Sequence, residues 1–588
     1  MRKSRTLLGV SGLAAALIAA AVTVPATAGA TTDRSTAPSG AAANTEYVVL
    51  LEQGADVKAA RDAVSRAGGS VVKVNANLGT MLVRGPASGF STKVSASSAV
   101  AGAARNRSIG SSPKAKQGKE RADAVTKENR AAAKAGTLRA AKSAAAGQRG
   151  PRVRGMDPLD DQLWGLRMIR ADLAREVHAG RKAVKVGVMD TGVDGNHPDL
   201  APNFDAKLSR NFAPDIPEVD GTCEFRGCVD PANWDDNGHG THVAGTIAAA
   251  KNNLGISGVA PKVSIVNVRA GQDSGYFFLG ATTDALTYAG DTRLDVVNMS
   301  FYVDPWLYNC VANPADSAEA QQEQRTIIAA MRRALNYAHN RGVTLVGALG
   351  NNHEDLGKPR TDTSSPNFPA DAAYPRPIDN ATCFDLPVEG PHVIGVSALG
   401  PSSRKADYSN YGLEQIEVSA PGGWFRDYFG TPWFRTNENL ILSTAPVYSL
   451  QAEGAVDPAG EITPAGKEFG VQKVCPAGVT DYTKCGYYQF LQGTSMAAPH
   501  ASGVAALIVS RYGSHQGRRG FGLAPNTVRN ILLNSAQERA CPNPPLQTYT
   551  QEGRSTEFNA LCEGTRQFNG FYGHGIVDAY AAVTYRRR

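Results

Sequence analysis

The sequence predicts an α/β fold: a mostly parallel central sheet covered by helices on both faces, preceded by a small α+β unit. Three observations carry this. The runs "AVKVGVMD", "VSIVNVRA", "LDVVNMSF", "VTLVGALG" and "HVIGVSALG" are continuously apolar, as strands buried on both faces must be. Helical stretches such as "TTDALTYAGD" and "QQEQRTIIAAMRRALNYAHNR" stand between them, and such alternation implies parallel strands with helical crossovers. A shorter pattern of one strand, an amphipathic helix and two further strands comes first, at 46–83.

In chain order, residues 1–30 read as a secretory signal peptide. Arg2, Lys3 and Arg5 precede the apolar run "LLGVSGLAAALIAAAVTV", and Ala28 and Ala30 in "PATAGA" have the spacing of a cleavage site. The expectation is an exported, extracellular protein. Residues 31–90 hold the small unit, with "EYVVLL", "SVVKV" and "TMLVRG" as strands and "ADVKAARDAVSRAG" as its helix. Residues 91–150 turn Ala/Ser/Lys-rich, poor in large side chains, and read as a basic linker that cannot bury enough surface to offset its ordering entropy. Residues 151–588 form the main domain.

Charge follows the same divisions. The chain carries a net +7, but residues 31–150 hold 19 Lys and Arg against 8 Asp and Glu. From residue 151 the balance is 39 against 46, so the main domain is acidic. The basic character belongs to the leader, which argues against a nucleic-acid binder. All eight cysteines lie after residue 220, an even number suited to disulfides in an exported chain. Short loops favour Cys223–Cys228, Cys475–Cys485 and Cys541–Cys562, leaving Cys310 with Cys383.

Chemistry gathers at three places. Asp190 closes the strand "KVGVMD"; His239 opens the helical "HGTHVAGTIAAA"; Ser495 stands near the start of the helix "MAAPHASGVAALIVS". The positive end of that helix would favour an oxyanion developing at Ser495. His500, five residues along, points about 140° away from the serine, which argues against it as the base. His242 shares a helix face with His239, so chemistry alone leaves the choice between them open.

The motifs "VMDTGVDGNHPDL", "NGHGTHVAG" and "GTSMAAPHASGVAAL", in the order Asp, His, Ser, resemble the signatures of the subtilisin-like serine proteases, over about residues 155–585. The resemblance implies that His239 is the base acting on the nucleophile Ser495, with Asp190 orienting the imidazole. It places Asn351 of "VGALGNN" as the side-chain oxyanion donor beside the Ser495 backbone N–H. It assigns the substrate edges to "DSGY" (Ser274, Gly275) and "MSFYV" (Ser300, Phe301, Tyr302), with Ala348, Leu349 and Gly350 walling the primary pocket. Tyr302 and Leu349 replace smaller family residues, and both point to a narrowed pocket and altered specificity.

No cofactor is expected for catalysis, but the resemblance implies a structural calcium. Asp157, Asp199 and the side chain of Asn252 would ligate it with the carbonyls of Ala250, Leu254 and Ile256, in "KNNLGISGVAP" and its neighbours. The unit at 31–90 resembles the family's inhibitor-type propeptides, which assist folding and block the cleft until removed. The expected function is a secreted, autoprocessed serine endopeptidase acting on proteins or peptides as a monomer, with no nucleic-acid or membrane partner. Two alternatives differ from it: a narrow-specificity maturation protease or exopeptidase, and a catalytically silent secreted binding protein.

Overall fold

The computed structural model describes residues 44–106, 157–368, 371–517 and 520–586. The expected signal peptide and most of the expected linker lie outside the described residues.

The first unit contains β1 (Asn44–Leu51), α1 (Val57–Arg66), β2 (Ser70–Asn75), β3 (Thr80–Pro86), α2 (Phe90–Ser95) and β4 (Val100–Arg105). Its antiparallel sheet has the order β2-β3-β1-β4. The period of two along β1 sets its two faces. Tyr47, Val49 and Leu51 pack on α1 and α2 through Ala60, Val64, Phe90 and Val94. Val48 and Leu50 join the core of the large domain instead. The folded unit therefore runs to Asn106, past the boundary expected at residue 91. β4 is "VAGAAR", whose small side chains look like linker. They are small because the strand lies against a helix of the large domain: a Cβ on Gly102 would sit 2.4 Å from Thr326 Oγ1.

The large domain begins with β5 (Lys185–Met189), β6 (Arg210–Asn211), α3 (His239–Ala248), β7 (Ser264–Arg269) and α4 (Leu279–Asp291). It continues with β8 (Val296–Met299), α5 (Ala318–Asn340), β9 (Thr344–Ala348), β10 (Val393–Leu399) and β11 (Val418–Pro421). These strands form one seven-stranded sheet, in the order β11-β10-β9-β8-β5-β7-β6, with every neighbour pair parallel. All five apolar runs lie in it. The chain builds β6 and β7 on one side of β5, then crosses to β8 on the other. In open parallel sheets ligands gather at the carboxyl ends of strands beside such a reversal.

A second, antiparallel sheet of β12 (Ile441–Ala445), β13 (Gln472–Val474) and β14 (Gly486–Leu491) has the order β12-β14-β13. β14 leads into α6 (Thr494–Tyr512), which is buried along almost its whole length in the main core. The four disulfides are Cys223–Cys228, Cys310–Cys383, Cys475–Cys485 and Cys541–Cys562, the pairs the spacing favours.

The first unit lies on α4 and α5 through polar contacts. Lys73 pairs with Asp284 at 2.7 Å, Asn75 Nδ2 donates to Asp284 Oδ1 at 2.7 Å, and Asn77 Nδ2 donates to Asp291 at 3.0 Å. Arg105 reaches Glu319 at 2.7 Å and Glu323 at 3.5 Å. Asn106 Oδ1 accepts the Gly280 N–H at 2.7 Å, satisfying a first-turn donor of α4.

Candidate active site

Asp190 directly follows β5 and is fully buried. Its Oδ1 lies 2.7 Å from His239 Nδ1 and also accepts the Thr191 N–H at 2.8 Å. Burial opposes a charged imidazole here, but the Asp190 carboxylate outweighs it, and the pKa of His239 is raised above its ordinary value. The loop after Asp190 and the start of α3 approach closely. A Cβ on Gly240 would lie 2.1 Å from the Gly192 carbonyl oxygen, which accounts for the glycine in "HGTH".

Asp235, which the sequence reading did not single out, fastens these two pieces. Its Oδ1 accepts from Thr191 Oγ1 at 2.9 Å and from the Gly238 N–H at 3.0 Å. Its Oδ2 accepts from the Thr241 N–H at 2.9 Å and from Thr241 Oγ1 at 2.6 Å. The other two histidines are engaged elsewhere. His242 Nε2 contacts the carbonyls of Ile441 (3.0 Å) and Gln489 (3.2 Å), and burial pushes its pKa down to about 3. His500 Nδ1 contacts the Met496 carbonyl at 2.8 Å, and burial pushes it down to about 4.

Ser495 sits in the first turn of α6, where backbone N–H groups have no partner within the helix. Its Oγ donates to the Ser300 carbonyl at 3.3 Å. Pro499 lies four residues further on and has no N–H to offer, so the Ser495 carbonyl lacks its helical donor. Ser300 Oγ supplies one at 3.1 Å. Ser300 is held in turn by Asn298 Nδ2 at 2.9 Å, and Asn298 Oδ1 accepts from Ser502 Oγ at 2.9 Å. Helix α6 and the segment after β8 are thus tied in both directions.

Asn351 follows β9. Its Oδ1 accepts from both the backbone N–H and the Oγ1 of Thr494, each at 2.9 Å. These bonds fix which end of the amide is oxygen. Nδ2 faces the turn into Ser495: a Cβ on Gly493 would lie 3.5 Å from it.

The expected substrate edges flank this group. Ser274 N and Oγ both donate to Asp220 Oδ1, at 3.0 and 2.8 Å, and the Gly275 N–H donates to the Gln272 carbonyl at 2.9 Å. Pairing from this edge must therefore use carbonyls. Phe301 stacks on Phe277, with ring centroids 4.1 Å apart, and the Asp304 N–H donates to the Phe277 carbonyl at 2.8 Å. The Tyr302 hydroxyl accepts from Asn367 Nδ2 at 2.9 Å, which fixes the ring. Ala348 and Gly350 bracket the end of β9; the Gly350 N–H donates to Thr494 Oγ1 at 3.0 Å. Leu349 departs from expectation. Its side chain is fully buried in the core with Leu345 and Val393, so it does not narrow a surface pocket. Backbone at a strand's end alternates faces, and this residue takes the core side.

The expected calcium ligands converge as well. Asp199 is fully buried; its Oδ2 accepts from the Ile256 N–H at 2.9 Å and Tyr488 OH at 2.7 Å, while Oδ1 is buried without a hydrogen-bond partner. Asp157 Oδ1 accepts the Asn253 N–H at 2.8 Å, and Asn252 Oδ1 accepts the Leu254 N–H at 2.9 Å. The Ala250 N–H donates to the Asp199 carbonyl at 2.7 Å. A buried carboxylate oxygen left without a partner, on a residue that meets this loop, suits a hard cation. A 620 Å³ cavity lined by His339, His392 and Arg529 lies at the amino ends of β9 and β10, the opposite end of the sheet, and holds none of the expected site residues.

The covered parallel sheet, with the Asp190–His239 pair and Ser495 on neighbouring elements, fits the class of serine proteases. The subtilase family profile matches residues 181–575, two thirds of the chain, and the chain belongs to that family. It is 28% identical to thermitase of Thermoactinomyces vulgaris over 407 residues, covering 69% of this chain and 98% of thermitase. It is 27% identical to subtilisin DY of Bacillus licheniformis, covering 63% of this chain and 90% of that one. A solved structure described as the epidermin leader peptide processing serine protease of Staphylococcus aureus aligns with TM-score 0.58 at 18% identity, covering 93% and 99% of the two chains, and shares the fold.

Proposed function

We propose that the chain is a secreted serine endopeptidase made as an autoprocessed zymogen. The contact that supports this best is His239 Nδ1 against Asp190 Oδ1 at 2.7 Å, on a helix start fastened to Asp190's own loop by Asp235. In this reading His239 takes the Ser495 hydroxyl proton as Oγ attacks the peptide carbonyl, then gives it to the leaving amine. Asp190 holds the tautomer and stabilises the imidazolium. The oxyanion is met by the Ser495 N–H and Asn351 Nδ2. Water then attacks the acyl-enzyme with His239 as base, releasing the carboxylic acid and restoring Ser495.

Residues 1–30 serve as signal peptide, 31–90 with its extension to Asn106 as an inhibitor-type propeptide, the rest up to 150 as a removable linker, and 151–588 as the catalytic domain. The enzyme works as a monomer on protein or peptide substrates, its propeptide acting as intramolecular chaperone and inhibitor. A structural calcium is held by Asp157, Asp199 and Asn252 with the carbonyls of Ala250, Leu254 and Ile256; no cofactor takes part in the chemistry. A narrower reading, a maturation protease, is favoured by Tyr302, whose ring is pinned beside Ser300. The test is to express the full chain beside Ser495→Ala and read each secreted product's mass and N-terminus. Wild type should mature near residue 150 while the variant keeps its leader. Identical maturation of both would refute autoprocessing.

A further inference from the structure

The segment that carries Asp385 spans the two walls of the expected primary pocket. On one side the Val303 N–H, one residue beyond Tyr302, donates to the Leu386 carbonyl at 2.8 Å. On the other, a Cβ on Gly350 would lie 3.4 Å from Asp385 Oδ2. Asp385 therefore stands between residues 300–303 and the end of β9, the position of a floor to that pocket. It is only 3% exposed, and among the described residues no donor reaches either oxygen of its carboxylate. Arg360, whose charge it feels, is committed elsewhere: Nη1 donates to the Leu356 and Lys358 carbonyls at 3.1 and 3.0 Å, and Nε lies 3.3 Å from Glu354. Burial, and after it Glu389, holds the Asp385 carboxyl well above the ordinary carboxylate range. A buried carboxyl without a partner is costly, and such groups gather where a ligand supplies what is missing.

We propose that Asp385 selects substrates with arginine or lysine before the scissile bond, its carboxylate pairing with the guanidinium or ammonium at the floor of the pocket. This deepens the proposed function and rests on the reading of residues 300–302 and 348–350 as the pocket walls. The carboxyl gives its proton to water as the cation seats, and the ion pair that forms is shielded from solvent, where losing one of the two charges costs most. The chain carries a matching sequence of its own. The stretch "GQRGPRVRGMDP", with Arg149, Arg152 and Arg154, leads into Asp157, the first described residue of the main domain. A pocket of this kind would cut the leader after one of these arginines.

The test is a profile of kcat/KM on peptides that differ only in the residue before the scissile bond (Arg, Lys, Leu or Phe), for secreted wild type, Asp385→Asn and Asp385→Glu. Working nucleophile in each preparation is counted with a serine-reactive fluorophosphonate, and a preparation that keeps its leader is first matured with immobilised wild type. Wild type should cleave the Arg peptide at least about 10²-fold faster than the Leu peptide, and Asp385→Asn should lose at least about 10²-fold of that ratio. Asp385→Glu, which keeps the charge, should hold the preference for basic residues. A purely structural role would lower both rates together and leave the ratio unmoved. Labelled wild type without a preference for Arg or Lys, or a ratio unmoved by Asp385→Asn, would overturn the proposal while leaving the triad standing. Wild type that neither labels nor cleaves any peptide would refute the proposed function, and the role of Asp385 would fall with it.

Discussion

Asn351 gives two readings that one pair of substitutions separates. In one, its amide only ties Thr494 to the end of β9; in the other, Nδ2 also stabilises the oxyanion. Asn351→Ala removes both contributions. Two hydrogen bonds to Thr494 disappear, worth about 1 kcal/mol each, and Thr494 N–H and Oγ1 lose an acceptor. Asn351→Asp keeps an oxygen for Thr494, and a negative charge near the N-terminus of α6 gains about 0.3–1 kcal/mol. The second oxygen of that aspartate, however, faces the developing oxyanion where a donor stood. We expect Asn351→Asp to unfold at the wild-type temperature and yet lose about 10²–10³ in kcat, equivalent to about 3–4 kcal/mol, with KM little changed. Asn351→Ala should lose similar activity and a few degrees of Tm as well. Steady-state kinetics on a peptide substrate and thermal unfolding read both quantities. The N-terminus of each preparation is checked first, since a slowed enzyme keeps its leader under the autoprocessing proposal. Asn351→Asp with kcat within tenfold of wild type would refute the oxyanion role.

The remaining predictions concern the triad, the cation and the pocket. His239 must be neutral to act as base, and its pKa is raised, so kcat/KM should fall as pH drops through a value above about 6.5. Asp190→Asn removes the partner and leaves burial, so the midpoint should move to lower pH while kcat drops about 10⁴-fold; an unmoved midpoint would count against the pairing. Calcium should raise the unfolding temperature of wild type, with about 2.7 kcal/mol gained at a hundredfold excess over Kd, and Asp199→Asn should lose that part of the response in calorimetry. Tyr302→Gly should raise kcat/KM about tenfold or more for peptides with a bulky residue before the scissile bond, measured on a peptide library. Unchanged selectivity would move the specificity determinant elsewhere.

The strands of the main sheet were legible because two-sided burial writes itself as unbroken apolar runs, and the site because long motifs surround Asp190, His239 and Ser495. Three disulfide pairs were legible from loop length, and Cys310–Cys383 was the pair left over. Three features were not. β4 hides behind small residues that only the facing Thr326 explains. Leu349 reads as a pocket residue until its side chain is seen in the core, since one residue's difference in register decides the face. Asp235, Asp215 and Asp230 are scattered acidic residues in a loop, and only folding shows that one fastens His239 and two surround Arg269.

The exchange between Ser300 and Ser495 has a kinetic meaning. Each residue's hydroxyl is bonded to the other's carbonyl, so under the proposed function the edge that grips a substrate and the helix that carries the nucleophile move as one body. A peptide that seats badly and displaces residues 300–302 drags the attacking oxygen out of line with it. Misfit is then felt as slow acylation of a bound substrate rather than as weak binding, and selectivity of this kind survives even when substrate is saturating.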